Sequence, residues 1–187
     1  MPRRTTTETT EGIIDKAAGL LAALGPRDLS VQVVADATSL AKSSILYHFG
    51  SRQELLDAAV RQCVRDAVAL RETPGDDRAR LRALAELALR RPGWMRLVIA
   101  GVTNLQGTVV GDELRPGIAA LYGLFGVDVS DPLADADRAI RVTGALGALA
   151  IYVADVPPFL PHEVRLQAVE EVCSGILAAG SGRDSRL

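Results

Sequence analysis

The chain has 187 residues and a formal charge of −2, and nearly half of its residues are apolar. That length supplies one substantial core, or a small module joined to a larger one. The balanced charge makes no global electrostatic case for a nucleic-acid partner, so any such case has to be local. Residues 1–65 hold eight Lys/Arg against seven acids, and the rest holds thirteen against sixteen. The front third is therefore slightly basic and the remainder slightly acidic.

Cys63 and Cys173 lie far apart, each inside an apolar helical pattern, with no metal or disulfide spacing around them. They read as two buried small hydrophobes in a reducing compartment. The N-terminal "MPRRTTTETTEG" lacks the apolar h-region of a signal peptide. No uncharged stretch reaches the ~20 apolar residues that a membrane span needs. The expectation is a soluble cytoplasmic protein with no membrane partner.

Taken in chain order, the periodic segments all read as helix. Ile13, Ile14, Ala17, Ala18, Leu21 and Leu24 recur at three- and four-residue spacing, and Gly25–Pro26 supplies a stop. Ser30 is an N-cap for a short helix carrying Val31, Val34 and Ala35. "TSL" makes a turn, and a second short helix runs from about Ala41 to His48. From Arg52 a long amphipathic helix continues through Leu55, Leu56, Ala59, Val60, Cys63 and Val64 to "TPGDD". Helical blocks follow at about 76–91, 93–106, 111–125, 134–155 and 162–179, separated by "RRPG", "LQGTVVG", "GVDVSDP" and "VPPFLP". No run alternates with a two-residue period, so the expected fold is all-α with about nine helices. The first six residues and the final "GSGRDSRL" are expected to be disordered.

Two short helices over residues 31–48, joined by a tight turn and flanked by longer helices, have the spacing of a helix-turn-helix. The second helix of that motif lies in a DNA major groove. Such a helix buries one face, here through Leu40, Ile45, Leu46 and Phe49. Its other face needs short polar side chains that let the backbone approach the DNA. Lys42, Ser43 and Ser44 fill its first turn, where the helix dipole already favours phosphate. Lys42 supplies charge, and the two serines can donate to phosphate or to a base edge.

"VQVVADATSLAKSSILYHFGSRQELLDAAV" resembles the DNA-binding module of TetR-family transcriptional regulators. In that family the helix-turn-helix ends in an aromatic–x–His/Tyr–Phe cluster, and a Ser-Lys-like pair opens the fourth helix. Here the cluster is "LYHF" and the pair is Ser51–Arg52. The resemblance covers about residues 7–66. It implies a DNA-binding domain over 1–66 and a helical effector-binding and dimerisation domain over 67–187. It further implies that Lys42, Ser43, Ser44, Tyr47 and His48 face a double-stranded operator, that Arg52 clamps a phosphate, and that Ser30 adds a backbone contact. Three positions depart from the family pattern. Ser39 stands where glycine is common, and Ala41 takes the usual Ser/Thr N-cap position. Leu46 holds the usual tyrosine position, which leaves Tyr47 about 100° further round the helix.

One helix-turn-helix reads too little DNA to be selective, so a two-fold dimer on a near-palindrome is expected. Gly144 and Gly147 inside "ADADRAIRVTGALGALAIYVADV" cost roughly 1 kcal/mol each relative to alanine. A partner helix closing on Ile140, Gly144, Gly147 and Ile151 would compensate. The last block is apolar round more than half its circumference, which implies more than one neighbour. From it Val169, Val172, Cys173 and Ile176 complete the predicted homodimer interface, which resembles the family's four-helix dimer bundle. The resemblance also implies a pocket for a small-molecule effector among the middle helices. Its candidate lining is Trp94, Met95, Val98, Asn104, Tyr122, Phe125 and Tyr152. With aromatic content at 4%, a modest aliphatic effector fits better than a large planar one.

Nothing points to catalysis. His48 and His162 lie in different modules without carboxylates at ligand spacing, and the chain has no phosphate-binding glycine loop, nucleophile elbow or metal constellation. No enzyme activity, metal or cofactor is expected. The expected function is a ligand-responsive, homodimeric repressor. The competing class, a helical dimeric module without DNA binding, has no need for the short polar residues of "AKSSILYHF".

Overall fold

The computed structural model describes residues 6–131, 133–155 and 160–179. Among these residues it contains nine helices and no strand. They are α1 (Thr6–Asp28), α2 (Val31–Thr38), α3 (Lys42–Phe49), α4 (Arg52–Leu70), α5 (Asp77–Arg90), α6 (Pro92–Val102), α7 (Val109–Leu124), α8 (Ala136–Asp155) and α9 (His162–Ala178). The all-α architecture expected from the periodicity is the architecture observed. The termini expected to be disordered lie outside the described residues, apart from Thr6, which opens α1. No helix of the described residues is long and apolar enough to cross a membrane.

Local signals account for most helix ends. Helix α1 is interrupted at Gly25, whose φ of 78° and ψ of 169° lie outside any helix, so Gly25–Pro26 acts as the stop its sequence suggests. Helix α6 ends earlier than the apolar pattern, at Val102 rather than near residue 106. The Thr103 hydroxyl bonds back to the Ile99 carbonyl at 2.8 Å, and the Asn104 amide leaves the helix to donate to the Ala22 carbonyl at 3.2 Å.

By packing, the chain divides into two compact units. The first comprises residues up to Asp66 together with Arg91–Gly117; the second comprises Ala67–Arg90 and the residues from Ile118 onward. Helices α4 and α7 each contribute to both.

In the first unit, α1 packs on α6 and α2 packs on α1 and α3. Ile13, Ala17, Leu21, Leu29, Val34, Ile45, Leu55 and Met95 are among its fully buried side chains. The Asp15 carboxylate of α1 accepts the first N–H groups of α6, from Gly93 at 3.2 Å and Trp94 at 2.9 Å. It thereby caps a helix whose own preceding residue, Arg91, makes no side-chain cap. Arg91 instead pairs with Asp66 at 2.6 Å and Glu11 at 3.1 Å. The buried Trp94 indole donates to the Cys63 carbonyl at 3.0 Å.

In the second unit, α9 packs against α5 and α8 around Leu81, Leu84, Leu121, Val142, Leu149 and Leu166. Glu170 of α9 is a buried carboxylate, held by Arg78 at 2.5 Å and Arg82 at 3.2 Å from α5. The Arg138 guanidinium of α8 pairs with Asp77 and donates to the Phe125 carbonyl at 3.1 Å. Both cysteines are buried and unpaired. Burial pushes the Cys63 thiol well above its ordinary pKa and the Cys173 thiol up to about 11, which keeps both protonated and unreactive at neutral pH.

Candidate nucleic-acid interface

Helix α2 begins as its sequence predicts. Ser30 is extended and its Oγ accepts the Val33 N–H at 3.2 Å, while Val31, Val34 and Ala35 face inward. The turn that follows is closed by two backbone bonds, Ser39 N–H to the Asp36 carbonyl and Leu40 N–H to the Ala35 carbonyl at 3.0 Å. That closure requires a left-handed residue, and Ser39 adopts φ 55° and ψ 34°. A non-glycine residue in this conformation costs roughly 1–2 kcal/mol. The turn geometry normal for glycine is thus kept without the glycine.

Helix α3 opens at Ala41, which is extended and offers no side-chain cap. The first helical bonds run from Ser44 N–H and Ile45 N–H to the Ala41 carbonyl. The N–H groups of Lys42 and Ser43 have no partner among the described residues. Ala41, Lys42 and Ser43 are exposed, Ser44 is half-buried, and Ile45 beneath them is fully buried. One turn on, Tyr47 is 87% exposed and its ring meets the His48 ring edge-on at 5.6 Å. His48, Leu46 and Phe49 are half-buried, and the His48 and Phe49 rings lie 6.3 Å apart. The helix therefore presents an uncapped, positively polarised end flanked by a lysine, two hydroxyls and a projecting phenol.

Arg52 is placed otherwise than as an outward phosphate clamp. Its Nε donates to the Leu29 carbonyl at 2.6 Å and its Nη2 donates to the Pro26 carbonyl. Both acceptors lie in the α1–α2 connection, so Arg52 ties the start of α4 to the entry of α2. Ser51 caps α4 by accepting the Glu54 N–H at 3.1 Å.

Residues 13–59, which span α1 to the first half of α4, match the sequence model of the N-terminal domain of bacterial regulatory proteins of the tetR family. The chain carries a TetR-family domain. No curated protein matches the chain by sequence. Among solved structures, the TetR-family transcriptional regulator PfmR from Thermus thermophilus superposes with a TM-score of 0.54 at 21% identity, over 88% of this chain and 96% of its own. AmtR of Mycobacterium smegmatis gives a TM-score of 0.51 at 19% identity, over 96% and 97%. At such identities the likeness speaks for the fold alone.

The TetR-family domain contains Ser30, Lys42, Ser43, Ser44, Tyr47, His48 and Arg52. The expected effector-pocket residues are drawn from both units. Trp94, Met95, Val98 and Asn104 belong to the first unit, and Tyr122, Phe125 and Tyr152 to the second. Trp94, Met95, Val98 and Phe125 are core residues. Asn104 is exposed, and its amide is bonded to α1. The Tyr122 hydroxyl meets the Thr143 hydroxyl at 2.8 Å, and Tyr152 is half-buried, with its pKa raised by that burial.

The expected interface residues also divide. Ile140 and Ile151 are 72% and 67% exposed on α8, and Val172 is exposed on α9. Val169 and Cys173 are instead buried in the second unit's own core, where Cys173 Sγ donates to the Ala145 carbonyl at 3.4 Å. Ile176 is half-buried and lies where a Cβ on Gly144 would make ordinary contact; a Cβ on Gly147 or Gly175 would meet nothing within 4 Å. Local periodicity gives no sign of two charged groups that matter here, Asp15 and Glu170, because their partners come from distant segments.

Proposed function

We propose that the chain is a ligand-responsive transcriptional repressor that binds a near-palindromic operator as a homodimer. The observation that carries the DNA reading is the uncapped, exposed start of α3, with free N–H groups at Lys42 and Ser43 over the buried Ile45. A helix end left without a cap forgoes on the order of 1 kcal/mol, and a phosphate oxygen supplies the acceptor it lacks. In this reading Lys42 and the two free N–H groups hold a backbone phosphate, while Ser43, Ser44, Tyr47 and His48 face base edges. The Ser30 hydroxyl, whose oxygen already accepts from Val33, donates to a second phosphate. Arg52 acts by fixing the start of α4 against the α1–α2 connection.

The dimer is supported by the apolar exposure of α8 and α9. Ile140, Ile151, Val164 and Val172 project from the second unit, beside mid-helix glycines 147 and 175, where an added Cβ would meet none of the described residues within 4 Å. A second copy applied to this face would bury those side chains and use the close approach that the glycines permit. A ligand would release the operator by binding more tightly to the dimer whose recognition helices no longer match successive major grooves.

Fluorescence anisotropy on a duplex selected from a random pool, with sedimentation of the same complex, tests the reading. Two chains per operator and an affinity that falls steeply with salt are expected. A single chain on the selected duplex, or salt-independent binding, would overturn it.

A further inference from the structure

A cleft of about 520 Å³ lies in the second unit, between the start of α5, the start of α8 and the end of α9. It includes none of the residues expected to line an effector pocket. Three guanidinium groups, from Arg78, Arg80 and Arg138, border it together with the carboxylates of Asp76 and Asp77. Most of these charges are engaged. Arg78 holds Glu170, Arg138 holds Asp77, and Asp76 caps α5 by accepting the Ala79 N–H at 3.0 Å.

Arg80 differs from its neighbours. It forms no ion pair with any described residue, and its Nε is buried without a hydrogen-bond partner among them. Ser174, which borders the same cleft from α9, has a buried Oγ that likewise finds no partner. A buried polar atom left unpaired costs roughly 1–3 kcal/mol, and native structures retain few of them. Here the two residues that carry such atoms, from two helices, line one cleft. Guanidinium and hydroxyl both donate, so their shared complement is an acceptor, and opposite an unpaired arginine it is an anionic one. Asp76 and Asp77 limit that charge, since a dianion would meet like-charge repulsion. Leu177 and Ala178 supply an apolar wall.

We propose that this cleft binds a small aliphatic monocarboxylate, its carboxylate on Arg80 and Ser174 and its alkyl chain against Leu177 and Ala178. The half-buried Arg80 side chain turns on its flexible stem to admit the carboxylate between guanidinium and hydroxyl. Binding here is independent of DNA and is read without it.

Calorimetric titration of the full chain with butyrate, acetate and inorganic phosphate tests the site. Butyrate is expected to bind saturably, more tightly than acetate because of the apolar wall, and more tightly than phosphate because of the two aspartates. Arg80→Gln weakens butyrate by at least about tenfold, the loss of a charge-assisted hydrogen bond, and Ser174→Ala weakens it by a smaller factor. Arg80→Lys keeps the charge without the planar fork and falls between the wild type and Arg80→Gln; it also carries the test if the glutamine variant does not fold. Arg96→Gln, at an exposed arginine of the first unit, leaves binding unchanged. The proposal fails if no ligand gives a saturable heat, if phosphate binds more tightly than butyrate, or if the folded Arg80 variants bind butyrate like the wild type.

Discussion

Gly93 of α6 lies so close to Asp15 of α1 that a Cβ at position 93 would overlap the Asp15 carbonyl. Gly19 faces it from α1, where a Cβ would sit 3.3 Å from the Gly93 Cα. The two glycines let the helix backbones touch at this crossing. Gly93→Ala must push α6 off α1 because the colliding atom is backbone and cannot rotate away. A loss on the order of 3 kcal/mol is expected, the upper end for overpacking. Gly12→Ala, on α1 with nothing within 4 Å of the added Cβ, should instead raise stability by up to about 1 kcal/mol. Thermal unfolding followed by circular dichroism compares them, and equal effects would refute the close-approach account.

The Asp15 side chain makes a second link at the same crossing. Burial raises its pKa above the usual 3.8, although the N–H groups of Trp94 and Gly93 and the charges of Arg91 and Lys16 pull the other way. A raised carboxyl pKa means that the folded chain binds the proton more tightly than the unfolded one. Stability from this group therefore grows as pH falls from above the raised pKa to 3.8, and is lost as pH rises through that window. Asp15→Asn removes the dependence, so wild type measured against the variant should gain stability on acidification. At neutral pH, Asp15→Ala should lose about 1 kcal/mol with the α6 cap. Urea unfolding at both ends of the window measures this; a wild type that loses ground to Asp15→Asn in acid would reverse the assignment.

The helix-turn-helix was legible because its signals are local. Ser30 caps the N–H three residues ahead, and Val31, Val34 and Ala35 share one face at helical spacing. Arg52 was not legible in the same way, since its acceptors lie 23 and 26 residues earlier and nothing beside it marks them. Asp15 reaches 78 and 79 residues along the chain. Helix α9 shows a different limit. It is apolar over more than half its circumference, so periodicity could not decide that Val169 and Cys173 turn inward while Val164 and Val172 project. Trp94 and Met95 read equally as core or pocket lining, because both environments select the same side chains.

Glu170 has an asymmetric dependence on its partners. Its side chain is 6% exposed, whereas those of Arg78 and Arg82 are 73% and 44% exposed. Removing the carboxylate charge leaves two arginines that water can still solvate, so Glu170→Gln should cost about 1 kcal/mol or less. Removing both arginines strands a buried anion, so Arg78→Gln with Arg82→Gln should cost clearly more than Glu170→Gln alone. Adding Glu170→Gln to that pair should recover most of the loss. Chemical denaturation of all three variants closes the cycle, and strictly additive losses would show that the buried charge is not the cause.

Lys42 and Arg52 are both cations of the TetR-family domain, but their surroundings predict different failures. Lys42 is exposed beside the free N–H groups of α3. Arg52 is bound to the Leu29 and Pro26 carbonyls. Lys42→Ala should leave unfolding unchanged while lowering operator affinity and reducing the salt slope by about one unit, as for one lost phosphate contact. Arg52→Ala should leave the slope unchanged. It should lower stability by about 1.5–3 kcal/mol, because the two carbonyls lose a charged donor. Anisotropy titrations across a salt series, paired with unfolding curves for the same variants, separate the two roles. A salt slope that drops in Arg52→Ala with no loss of stability would return Arg52 to the DNA.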